Sequence, residues 1–185
     1  MYRTSLILML FLCCSCAVYS QPPRLHDGSG IKVKYEQRIK DWQKRIKREG
    51  WSEKLVDEIV QTVQVFAQYT PDKNPSNRGE ADYWFTPKEM IAADFKGDCE
   101  DIGSLTYGTL KGLRYPHGVR LLIVSTLLPI DHILVRVELP GGKWKNYETV
   151  NVLFSEIDGI FYQPLLEFDE NHIWIYDPSR KEKKI

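Results

Sequence analysis

Gly97-Asp98-Cys99-Glu100-Asp101, running on into Ile102-Gly103-Ser104-Leu105, decides how this chain is read. Cys99 opens a helix that extends to about Leu113. The first turn of a helix has N–H groups without intrahelical partners and carries roughly half a positive charge, so a cysteine there gains thiolate character and a ready oxyanion donor. Gly103, Gly108 and Gly112 cost helix propensity and let other elements approach closely. Upstream the texture is helical. Tyr35, Ile39, Trp42 and Ile46 form one stripe, and Leu55, Val56, Ile59, Val60, Val63 and Phe66 form a second behind the capping residue Ser52. Thr86-Pro87-Lys88-Glu89 is a capping box with proline at the first helical position. Downstream the texture is strand: Val119–Leu128 as a central strand, His132–Leu139, its hairpin partner Lys143–Val150, and His172–Tyr176. Helices followed by antiparallel strands make an α+β fold, with the cysteine at a helix N-terminus packed on the sheet.

The other three cysteines, Cys13, Cys14 and Cys16, fall in a segment with a basic start at Arg3, an apolar run Ser5–Cys14 and small residues Val18 and Ser20. This reads as a signal peptide over residues 1–20, too short to span a bilayer. Residues 21–31 then form a flexible leader, 32–178 the folded domain and 179–185 a polar tail. The protein is expected to be exported, periplasmic or secreted, and the only membrane attachment open to it is a lipid on an N-terminal cysteine. Cys99 is left alone in the mature chain, so it has no intrachain disulfide partner. Lys+Arg and Asp+Glu both number 25. Loss of residues 1–20 removes only Arg3, leaving a charge of −1, and no basic excess points to nucleic acid.

A thiolate in acyl-transfer chemistry needs a proton shuttle, ordinarily histidine. Of His26, His117, His132 and His172, the one best placed is His132, on the strand after the central one. The imidazole needs a third group to orient it. A three-residue turn at Pro140-Gly141-Gly142 pairs Leu139 with Lys143 and therefore Leu134 with Glu148, which puts Glu148 diagonally beside His132 on one face. Asn146 shares that parity but lies further up the hairpin.

These residues resemble a family. Gly97-Asp98-Cys99-Glu100-Asp101, preceded by Asp82-Tyr83-Trp84-x-Thr86-Pro87-x-Glu89, is similar to the bacterial transglutaminase-like cysteine proteinases, exported enzymes whose best-known members release biofilm adhesins in the periplasm. The resemblance covers roughly residues 69–151. It implies a papain-like or transglutaminase-like core, with the family's Cys, His and Asp falling on Cys99, His132 and Glu148. It also implies a second oxyanion donor upstream of the nucleophile, where Trp84 carries an indole N–H; packing is the alternative role for that ring. Two departures stand out. The third residue is glutamate, whose carboxylate sits about 1.5 Å further out than that of aspartate. The family's Asp-Asn pair is replaced by Glu148-Thr149-Val150-Asn151.

Asp98, Glu100 and Asp101 crowd the thiol with negative charge, which opposes its ionisation. They serve either as partners of the helix dipole or as oxygen ligands of Ca2+, which would cancel that charge. The resemblance implies Ca2+ at Asp98 and Glu100, with Asp101 a further candidate. One mature cysteine and scattered histidines exclude a zinc site, and no organic cofactor is expected. The reading is a cysteine peptidase acting on protein or peptide. Its rivals are acyl transfer to an amine by a transglutaminase or amidase, and a binding module that has kept the fold without the chemistry.

Overall fold

The computed structural model describes residues 30–71, 83–126, 131–150, 162–177 and 180–184. The expected signal peptide and almost all of the leader lie outside the described residues, as do Asp82 and Asn151.

Helix α1 spans Ile31–Glu49 and buries Ile31, Tyr35 and Trp42 along the expected stripe. Gly50 ends it with φ 75°, a left-handed conformation that other residues adopt at a cost. Helix α2, Glu53–Phe66, starts where Ser52 Oγ accepts from Leu55 N at 3.3 Å. Leu55, Val56, Ile59, Val60 and Val63 are all buried on it. The two helices are joined across their polar edge by Trp42 Nε1 and Arg45 Nη1, both donating to Glu58 at 3.1 and 2.6 Å. Strand β1, Gln68–Tyr69, follows. The short helix α3, Pro87–Ala92, has both arms of its capping box: Glu89 N donates to Thr86 Oγ1 and Thr86 N donates to Glu89 Oε2. Strand β2, Lys96–Gly97, pairs in parallel with β1. Helix α4 then runs from Cys99 to Gly112, with Cys99 as its first residue.

The strands that follow are β3 (Val119–Thr126), β4 (Asp131–Glu138), β5 (Trp144–Glu148), β6 (Tyr162–Phe168), β7 (Ile173–Asp177) and β8 (Arg180–Lys184). Among the described residues they form one antiparallel sheet in the order β5-β4-β3-β6-β7-β8. β3 is interior, as its aliphatic run requires. The hairpin register is the expected one: Leu139 N donates to Lys143 O at 2.7 Å, and Leu134 stands opposite Glu148. Gly141 and Gly142, at φ 112° and 85°, supply the left-handed conformations of the turn.

Two strands go beyond the sequence reading. β8 occupies residues expected as a polar tail. β6 contains Pro164, which opposes Val124 at a register shift and lies outside the stretch paired with β7. Proline is tolerated in a sheet at such a position, where no ladder needs its missing N–H.

The helices cover one face of the sheet. Trp42, Leu55, Ile59 and Leu110 pack there against Leu121, Ile133, Val135 and Val137. Each fully buried aliphatic side chain contributes roughly 1.5–3 kcal/mol. A Cβ on Gly103 would lie 3.0 Å from Ile133 Cγ2 and 3.3 Å from Leu121 Cδ2, so this glycine sets how near α4 comes to the sheet. The opposite face carries Leu122, Val124 and Leu134, with Tyr162 and Tyr176 packed against them.

Candidate active site

The residue that enters α4 first is held from behind. Thr70 N donates to Gly97 O at 2.8 Å and Gln68 N to Phe95 O at 2.7 Å, so the β1–β2 pair clamps the segment leading to Cys99. Asp101, two residues into the helix, turns its carboxylate back. Its Oδ1 accepts from Phe85 N at 2.7 Å and its Oδ2 from Asp98 N at 3.3 Å.

Cys99 is partly buried. Its thiol donates to Glu100 Oε2 at 3.2 Å, while the backbone N–H of Ile133 donates to Sγ. That second contact brings the thiol to β4 one residue from His132. The expectation that the helix terminus ionises the thiol is corrected here. Burial first, then the charge of Glu100 and the bond to it, and last Asp98 push the thiol well above its ordinary range; the Ile133 amide opposes them. Burial of the sulfur, with carboxylate charge beside it, disfavours the thiolate.

His132 and Glu148 meet as the hairpin register requires: His132 Nε2 and Glu148 Oε1 are hydrogen-bonded, and both side chains are largely buried. Nε2 is thereby engaged by the carboxylate, which leaves Nδ1 as the other ring nitrogen. Asn146 instead stands opposite Arg136, two positions away along each strand. Further groups hold Glu148, none of them read from the sequence, Val150 N at 3.5 Å from Oε1 among them. Thr149 N donates to Oε1 at 2.9 Å, Tyr162 OH donates to Oε2 at 2.7 Å, and Gln64 donates from α2 to the backbone carbonyl. The strand run into which Tyr162 falls was hidden by Pro164.

Similarity to solved structures bears on this geometry. No family model matches the chain, and no curated protein matches it in sequence. A structure of Legionella pneumophila LapG in its calcium-bound form aligns over 80% of this chain and 81% of its own, with a TM-score of 0.57 and 21% identity. An EGTA-treated LapG structure aligns over 87% and 91%, at TM-score 0.56 and 19% identity. A chain from Cytophaga hutchinsonii, provisionally described as a cysteine protease, covers 81% of this chain and 48% of its own at TM-score 0.51 and 13% identity. The chain shares the fold of these LapG structures.

Within that fold the remaining expected residues are placed as follows. Trp84 packs on the same apolar cluster as Cys99, its ring 5.8 Å from that of Phe168. This is the packing role; no contact of the indole N–H with the thiol is part of it. Asp98 and Glu100 flank Cys99, and Glu100 is buried. Asp101 is spent on two backbone amides. Among the described residues no three His, Cys, Asp or Glu side chains gather around one point as a metal cluster. A calcium site here would rest on two carboxylates, completed by carbonyl oxygens and water, which suits a cation that takes six to eight oxygen ligands. The donor set fits: hard oxygen ligands whose uncompensated charge raises the thiol pKa.

Proposed function

We propose that the chain is an exported cysteine peptidase with Cys99 as nucleophile, His132 as general base and acid, and Glu148 as the orienting carboxylate. The observation that carries this is the His132–Glu148 hydrogen bond, formed at the end of β4 where the Cys99 thiol also meets the strand through Ile133 N–H. The fold shared with LapG supports it.

In this reading His132 Nδ1 takes the thiol proton as sulfur attacks the peptide carbonyl. The N–H groups at the start of α4 face the developing oxyanion. The imidazolium, held by Glu148, then passes its proton to the leaving amine. Water hydrolyses the acyl-enzyme, with the imidazole again as base. Asp98 and Glu100 would hold Ca2+, which when bound supplies positive charge beside the sulfur. Without it Glu100 keeps the thiol hydrogen and the nucleophile stays protonated.

Iodoacetamide labelling of the mature chain with Ca2+ present tests this. Cys99 labels faster than a model thiol near neutral pH, and His132→Ala slows it. A native protein in which Cys99 stays unlabelled, or labels equally fast without His132, would refute the assignment.

A further inference from the structure

The carboxylate of Glu148 is more tightly held than a single bond to histidine requires. Its Oε1 takes His132 Nε2 and Thr149 N, and its Oε2 takes Tyr162 OH at 2.7 Å. Glutamate has one more side-chain rotor than aspartate and reaches about 1.5 Å further, so a buried glutamate aimed at an imidazole has freedom that must be removed for the ring to be oriented. With both oxygens engaged from different elements, β4 on one side and β6 on the other, the plane of the carboxylate is fixed. The Tyr162 ring adds a second contact: it stacks on the imidazole, 6.0 Å away and 26° from parallel to it.

We propose that Tyr162 is a positioning residue of this site, whose hydroxyl pins Glu148 so that glutamate serves as the orienting carboxylate. The inference rests on the assignment of His132 and Glu148 given above and adds the group that makes that pair work. Burial, then the bond to Glu148 and its charge, push the Tyr162 phenol far above its ordinary range, so the hydroxyl remains a donor at every pH at which a cysteine peptidase operates. The alternative is that Tyr162 only fills space against Leu122, Val124 and Leu134. Tyr162→Phe keeps that ring and its stack on His132 and removes the hydroxyl alone.

The experiment measures the rate of Cys99 alkylation by iodoacetamide between pH 6 and 9, in the mature chain with millimolar Ca2+, for a two-by-two set: Tyr or Phe at 162, Glu or Asp at 148. Glu148→Asp withdraws the carboxylate from the hydroxyl. Tyr162→Phe therefore slows alkylation roughly tenfold in the Glu148 protein, the size of one hydrogen bond to a charged acceptor, and shifts the pH midpoint of the rate. In the Glu148→Asp background the same change costs nothing further. Equal losses in both backgrounds, or wild-type rate and pH midpoint in Tyr162→Phe, would overturn the proposal. His132→Ala, run alongside, separates the two levels. If it leaves the rate unchanged, the His132 assignment itself has failed; if it slows the rate while Tyr162→Phe does not, only the role of Tyr162 has.

Discussion

Alanine at position 101 separates the two roles open to that carboxylate. Asp101 is 1% exposed and accepts from Phe85 N at 2.7 Å and Asp98 N at 3.3 Å. A hydrogen bond to a charged acceptor is worth roughly 1.5–3 kcal/mol, and the shorter of the two belongs in that range. The longer one acts at the helix start, where losing a capping interaction costs about 1 kcal/mol. Together Asp101→Ala destabilises the fold by about 3 kcal/mol. In a domain of this length each kcal/mol moves the melting temperature by roughly 2–4 °C, so the expected drop is about 6–12 °C. The drop is the same in chelator and in millimolar Ca2+, because the lost partners are backbone amides. Thermal melts followed by circular dichroism under both conditions measure it. A variant that melts within about 2 °C of the parent in chelator, yet no longer responds to Ca2+, would show that Asp101 is a metal ligand and that the capping account is mistaken.

Two further outcomes follow from the same geometry. Millimolar Ca2+ raises the melting temperature of the parent by binding only the folded state, Mg2+ substitutes poorly, and Asp98→Asn with Glu100→Gln abolishes the rise; a parent indifferent to Ca2+ and to chelator removes the metal from the site. The Tyr115 phenol is pushed up to about 12, first by burial and then by the charge of Glu138, from an ordinary value of 10.0. The folded state thus holds that proton more tightly than the unfolded chain, and the resulting stability is whole below pH 10 and lost as pH rises towards 12. Tyr115→Phe flattens this part of the curve, read as the urea midpoint at pH 9 and pH 11; an unchanged slope assigns it to other groups.

Much of the site was readable because local rules fixed it. The turn Pro140-Gly141-Gly142 sets one register, and one register suffices to bring Glu148 to His132. The helix starts at Ser52 and Thr86 follow from capping chemistry that acts over three residues. What stayed hidden depends on partners distant in sequence. β6 carries a proline that argues against a strand unless the missing neighbour on that side is known. β8, Arg180-Lys181-Glu182-Lys183-Lys184, has no apolar alternation, because it is an edge strand. The direction of the thiol pKa lay outside the sequence because burial of the sulfur, and then the charge of Glu100 beside it, are tertiary facts, whereas the helix dipole can be inferred from sequence alone.

The segment leading to Cys99 has a consequence for how the protein loses structure. Asp94 and Phe95 are consecutive non-glycine residues at φ 53° and 60°, a conformation that costs roughly 1–2 kcal/mol per residue. It persists because Phe95 is fully buried and the β1–β2 clamp closes behind it. The energy stored in this bend favours relaxation wherever the clamp loosens, and the first thing a relaxed bend releases is the backbone of Cys99. Mild heating or low denaturant would therefore change the surroundings of the thiol while the sheet and the two long helices remain intact. Loosening at this bend would precede global unfolding and leave the rest of the fold in place.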